Sequence, residues 1–431
     1  MNGRDACSRR HTVHDSETNP WTVTSIYAVS SVVAGILLPR IEHRVLPHLA
    51  SPITVAAASA IYASIASGMI ALTGIVFSMT FVMVQFSATA YSPRLVFWFA
   101  RDRVMAHALG VFTATFLYAL AALAWVDRGA VQTHVPLVSA LAVLGLLLAS
   151  VAMFVALLQR VARLQIGRTL AFTGDQGRRI IEEVYREQPP PRPHEPMLLM
   201  PPTQIVVRSG PPAAVKSVRV SALVDIAAAN HAVIELAVTV GDTVGESAPL
   251  LRVCGSRMPL DARLLTAAIE LGLERTFEQD PKYAIRLLVD IAIRALSAAV
   301  NDPTTAVQAL DQIGDLLLRL GRRNLDIGVF RDRLGSVRVL VPVPSWDDFL
   351  NLAFDEISAY GATSVQVMRR MNALVSDLLQ AVPVERRPAL ERWHGRLRRS
   401  VSASFHDAGQ RAAASVEDRQ GLGVPRRAAS T

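Results

Sequence analysis

The sequence predicts a membrane α-helical bundle of about four spans, followed by a cytoplasmic α+β domain with a small β module and a helical C-terminal part. Three observations carry this. Apolar residues make up 51% of the 431 positions and charged ones only 19%, a balance that soluble domains rarely show. The long apolar stretches all end by Gln159. Beyond a proline-rich segment, β-branched runs broken by Gly-Asp and Gly-Glu turns give way to amphipathic helical patterns.

A polar segment, 1–20, comes first and has no signal-peptide pattern. Spans are expected at about 21–39, 68–90, 104–126 and 135–159. A spanning helix needs ~20 apolar residues, and a charge at mid-membrane costs ~3 kcal/mol. None of the four stretches holds an Asp, Glu, Lys or Arg. The second apolar stretch, Ile53 to Tyr91, is too long, since one helix of that length would reach roughly 58 Å. Its weakly hydrophobic opening, 53–67, is expected at or outside the far interface, with a hairpin as the alternative.

Arginine placement sets the orientation. Arg94, Arg101 and Arg103 follow the second span, and Arg160, Arg163 and Arg168 follow the fourth. The opposite loops hold Arg40 and Arg44, and Arg128 alone. The expected location is therefore the cytoplasmic membrane, multi-pass, with both termini inside. The net charge of +8, from 44 basic and 36 acidic residues, fits such loops better than nucleic-acid binding. After the second span, "YSPRLVFWFARDR" reads as a helix lying in the interface.

The second span carries small and polar residues on one face: Ser67, Ala71, Gly74, Ser78, Gln85 and Thr89. Gly74, Ser78 and Gln85 are candidates for a helix-packing contact or for lining a polar path.

Residues 160–203 read as a juxtamembrane helix and a Pro-rich linker, 204–256 as the β module, and 257–381 as the helical domain. Residues 382–431 read as a helical end and a mobile Arg/Ala-rich tail. The phrase "VGDTVGESAPL" resembles the turn of small biotinyl-type barrels, but its hairpin has no lysine to carry a cofactor. "PLDARLLTAAIELG" reads as one helix that stops at Gly272. Asp280-Pro281 and Asp302-Pro303 look like one device used twice, an Asp N-cap with Pro at the first helical position.

The stretch "ALSAAVNDPTTAVQALDQI" poses the main question. Ser297, Asn301, Asp302 and Thr304 crowd its break, either as helix punctuation or as a site. The helix before it is apolar nearly all round, except for Lys282, Arg286, Asp290 and Arg294, spaced four apart. That line is either a solvated edge or a half-buried ionic row, with Asp290 between two arginines, and Glu274 and Arg275 could extend it. These residues form the candidate ligand or subunit-contact site.

Cys7 and Cys254 lack partners at metal or disulfide spacing, and His107 and His231 stand alone. No nucleophile–base pair, phosphate loop or metal spacing appears. No enzyme activity, cofactor or metal is expected. The expected partners are the lipid bilayer and further copies of the chain.

The block Glu274–Ile313, together with "GIVFSMTFVMVQFSATAYSPRL", "GVFTATFLYAL", "VGDTVGESAPL" and "AYGATS", resembles a bacterial family of predicted membrane proteins known as domain of unknown function 2254. The resemblance covers most of 20–380. It implies a multi-span membrane part with a cytoplasmic C-terminal domain, and no activity. The leading functional expectation is an oligomeric channel- or transporter-like protein whose soluble domain senses or assembles. The alternative is a membrane-anchored scaffold or sensor without a permeation path.

Overall fold

The computed structural model describes residues 20–45, 51–90, 103–127, 135–162, 166–185 and 201–423. They form two compact units that divide between Gln165 and Ile166. The expected interfacial helix at 91–102 lies outside the described residues, as does most of the Pro-rich linker.

Among the described residues, the first unit has four helices: α1 (Pro20–Val45), α2 (Val55–Ala90), α3 (Arg103–Asp127) and α4 (Leu137–Ala162). Each is long and apolar enough to cross a membrane. The most covered is α3, which packs on the other three. A Cβ added to Gly35 on α1 would lie 2.7 Å from that of Ala121 on α3, so glycine there permits close approach. Inside the bundle, Thr115 on α3 and Ser150 on α4 share a buried hydrogen bond of 2.8 Å.

α1 continues through Pro39, which lies inside it. This brings Glu42, buried, to the start of α4, where its carboxylate accepts from the amides of Val138 at 2.7 Å and Ser139 at 3.1 Å. One helix thus caps the open amides of another. At the same end, the Arg40 guanidinium lies over the Trp125 ring of α3, and the Ser51 amide donates to the Val135 carbonyl. At the other end, the Tyr27 hydroxyl of α1 bonds His107 of α3. α1 therefore begins, and α4 ends, at the same end of the bundle.

The expected start of the second span needs correction. α2 is one continuous helix, Val55–Ala90, with no hairpin, and its apolar candidate span opens at Val55 rather than near residue 68. Ala58 and Tyr62 from its weakly hydrophobic opening are buried with Tyr118, Ala122 and Val126 of α3 and with Val143 of α4. Only Ala58 and Ala66 of its alanines face the bundle, while Ala56, Ala57, Ala60 and Ala63 are exposed.

In the second unit, α5 (Ile166–Val184) is followed by β1 (Pro202–Val207), β2 (Ala213–Val218), α6 (Val220–Ala229), β3 (Val233–Leu236), β4 (Thr243–Val244) and β5 (Pro249–Cys254). Next come α7 (Ala262–Ala267), β6 (Ile269–Gly272), α8 (Pro281–Ala295), α9 (Pro303–Gly321), β7 (Val329–Arg331) and β8 (Val337–Leu340). The chain then runs through α10 (Trp346–Tyr360), α11 (Val365–Ala381), α12 (Arg387–Ser404) and α13 (Ala408–Ser415). One sheet has the order β1-β5-β3-β8-β7, with β3 and β8 parallel, and the other has the order β4-β2-β6. Their inner faces share a core that includes Val215, Ile234, Leu250, Leu251, Val253, Ile269 and Val339.

The β structure is not confined to 204–256. Strands β7 and β8 come from within the segment expected to be helical and complete the larger sheet. The helix expected to run to Gly272 stops at Ala267, and Ile269–Gly272 pairs with β2 instead. Glu270 fixes that pairing, accepting from Lys216 at 2.9 Å and from Ser217 at 2.8 Å.

α8 is the central helix of this unit, packed against α5, α9 and α10. That burial explains its apolar residues on nearly every side. α5 belongs to this core: a Cβ on Gly177 would lie 2.7 Å from Leu316 of α9 and 2.9 Å from Ala284 of α8. The expected mobile tail also needs correction. α13 and the strap after it lie on α11, held by Arg369 Nε to the Ala413 carbonyl at 2.6 Å and by Arg419 to Asp377 at 2.6 Å. The tail looked mobile because its Arg/Ala composition hides these specific pairs. Residues 424–431 lie outside the described residues.

Candidate functional site

The candidate residues of the second unit divide into three places. The first joins the β structure to α8. Arg275 donates to Asp280 Oδ2 from Nε at 3.1 Å and Nη2 at 2.7 Å, and its guanidinium faces the Tyr283 ring. Asp280 is 1% exposed. The turn before β4 lies directly on this pair: Gly241 has φ +93°, and a Cβ there would meet Arg275 Nη2 at 2.7 Å and the Asp280 carboxylate. Glycine is required twice over, for conformation and for space. Burial raises the Asp280 carboxyl above its ordinary range, outweighing the stabilising charge of Arg275. Asp280 Oδ1 is buried and makes no hydrogen bond among the described residues.

Asp280 and Asp302 are therefore not one device used twice. Their backbones match, with φ/ψ of −122°/83° and −116°/82°. Asp302 does cap, accepting from the Thr305 amide at 3.1 Å and its hydroxyl at 2.6 Å. Asp280 makes no side-chain cap and turns to Arg275. The sequence carried the difference: Thr305 offers a Cβ hydroxyl three residues on, where Tyr283 carries its hydroxyl at the far end of a ring, and Arg275 lies five residues before Asp280.

The second place lies between α8 and α10. Arg286 donates to Asp290 from Nε at 2.7 Å and to Glu356 from Nη1 at 2.5 Å and Nη2 at 2.8 Å. The Arg286 and Asp290 side chains keep 21% and 17% of their exposure. The row is thus half-buried rather than a solvated edge. Arg286 is shared by two acids, Asp290 and Glu356. Glu356 was not foreseen, because it arrives from α10, seventy residues away (|i−j| = 70). Arg286 holds the Glu356 carboxyl below its ordinary range, and the acids raise the Arg286 guanidinium further. Arg294 lies half-buried one turn beyond Asp290, while Glu274 is exposed and outside this group.

The third place is the break. The Ser297 carbonyl accepts from the amides of Val300 at 3.1 Å and Asn301 at 2.8 Å, and Asn301 takes a left-handed φ of +49°. The Asp302 amide closes onto the Ala295 carbonyl at 2.7 Å. Thr304 is exposed and accepts from Gln366 at 3.4 Å. With the Asp302 carboxylate on the Thr305 amide, this break is built as the start of α9.

In the first unit, Gly74, Ser78 and Gln85 lie on the exposed side of α2, and a Cβ on Gly74 would meet nothing within 4 Å. The buried side of α2 is Ala58, Tyr62, Ala66, Met69 and Val76. The small face is therefore not the contact with α3. Among the described residues, no three His, Cys, Asp or Glu are grouped to hold a metal ion.

Comparison with known proteins defines the class. The family described as predicted membrane protein, domain of unknown function 2254, matches residues 17–377. The chain belongs to that family, as its four apolar helices accord with. An uncharacterised protein of Mycobacterium bovis (strain ATCC BAA-935 / AF2122/97) is 29% identical over 373 residues, covering 81% of this chain and 69% of the relative. Uncharacterised proteins of Mycobacterium tuberculosis strains H37Rv and CDC 1551 match at the same identity and coverage. No solved structure matches the chain.

Proposed function

We propose that this membrane protein assembles with further copies of itself through the small face of α2, and that this face lines a channel- or transporter-like path. The observation that carries the reading is the exposure of Gly74, Ser78 and Gln85 on a helix whose opposite side is already packed. Small residues let helices approach closely in lipid, and serine and glutamine gain from facing each other or water rather than hydrocarbon. The second unit then serves assembly or sensing. The reading assigns no catalysis. The arginine bias supports the cytoplasmic membrane, with both termini inside.

Ion flux through liposomes holding the pure protein tests it. Flux that changes on Gln85→Leu, with assembly unaltered, is the expected result. Intact assembly without flux in either protein would replace the path with a scaffold or sensor.

A further inference from the structure

We infer that one end of the five-stranded sheet docks on the bilayer surface and binds anionic lipid headgroups. Strand register brings two loops to that end. Cys254, the last residue of β5, pairs with Val233, the first of β3. β8 runs parallel to β3, with Ile234 opposite Val339. The loop after β5 and the hairpin before β8 therefore emerge at the same end of the sheet, on either side of the start of β3.

Each loop presents an arginine followed by a protruding apolar residue. These are Arg257 with Met258, which is 76% exposed, and Arg333 with Leu334, which is 89% exposed. Both loops are braced. Ser256 Oγ donates to the Met258 carbonyl at 2.6 Å. Asp332 Oδ1 accepts from the Leu334 amide at 2.9 Å and the Ser336 amide at 3.0 Å, while its Oδ2 takes Arg338 Nε at 2.7 Å. Gly335 closes the turn at φ +85°. A slack loop would fold its leucine back onto the protein, whereas these hold theirs out and pay little ordering entropy on docking.

The charge favours an anionic surface. Arg257, Arg331 and Arg333 are exposed around the two tips. The nearby acids are engaged: Asp332 by Arg338, and Asp261 by the amide of Arg263 at the start of α7. Aliphatic tips among arginines suit the headgroup and acyl boundary. A bilayer is also always within reach, because α5 begins at Ile166, shortly after α4 ends at Ala162. Tethering at that distance keeps the effective lipid concentration high.

The test uses the full chain in a Cys7→Ser background, which leaves Cys254 buried. Leu334→Cys is labelled with a bimane dye and the protein reconstituted into liposomes containing a quencher-bearing lipid, with or without an anionic lipid. Leu273→Cys, equally exposed but beside the other sheet, is the control. Quenching at 334 in anionic liposomes should be roughly twofold or more above that at 273, and should fall on Arg333→Glu or in zwitterionic liposomes. Equal quenching at both positions, or none at 334, overturns the inference. Shielding of the 334 dye that persists in detergent and grows with protein concentration would assign the surface to a second copy and overturn it as well.

Discussion

Arg286 on α8 and Glu356 on α10 face each other as a two-pronged ion pair, with Nη1 and Nη2 at 2.5 and 2.8 Å from the two carboxylate oxygens. Asp290 approaches the same guanidinium from one turn along α8. Arg286→Ala leaves two half-buried carboxylates without their shared cation and should cost ~2–3 kcal/mol. Asp290→Ala leaves Arg286 held by Glu356 and should cost ~1 kcal/mol. Asp302→Ala, the loss of a cap, should also cost ~1 kcal/mol. Urea unfolding of a fragment spanning Ile166 to Gly423 gives the order. A larger loss at Asp290 than at Arg286 would contradict that order.

The same pair sets a pH dependence. Arg286 lowers the Glu356 carboxyl in the folded state, so its contribution is present above the unfolded value of ~4.3. It is lost as pH falls through the lower folded value. Asp280 has the opposite sign. Burial raises its carboxyl, so the folded state binds the proton more tightly. Stability therefore falls as pH rises from the unfolded value of ~3.9 through the higher folded one. Asp280→Asn should remove that second trend and leave the Glu356 trend in place, as urea midpoints across the acid range would show.

Gly241 should be among the least replaceable positions of the second unit. Gly241→Ala forces a side chain into a positive φ and against the Arg275–Asp280 pair. A cost of about 2 kcal/mol or more is expected. Gly335→Ala shares the positive φ but meets nothing within 4 Å, so it should cost less. Equal midpoints for the two variants would remove the steric part of the account.

The bundle places the start of α1 and the end of α4 at one end, and the proposed orientation puts that end in the cytoplasm. Reporter fusions after Arg103 and Arg168 should then read cytoplasmic, and one after Arg128 should read outside. An outside reading at Arg168 would defeat four spans.

Much of the architecture was legible because it rests on local signals. Four apolar stretches marked four helices, and Asp302 before Pro303 marked a capped helix start that forms as spaced. What was not legible depends on distant partners. Hydropathy undervalued 53–67, where Ala58 and Tyr62 pack against α3. The strand Ile269–Gly272 follows a helical pattern and becomes a strand only through β2. β8 fell within the segment read as helical, because β3 becomes its neighbour only in the folded chain. Arg286, Asp290, Asp302 and Asn301 were visible by spacing. Glu356 and the Gly241–Asp280 contact were not, because tertiary folding alone brings those residues together.

The central claim is that copies of the chain meet along the small face of α2. Disulfide trapping in native membranes tests it most directly. Ser78→Cys should cross-link two chains readily, in a Cys7→Ser background. Leu148→Cys, on the exposed side of α4, should not. Efficient cross-linking at 148 with none at 78 would contradict the account.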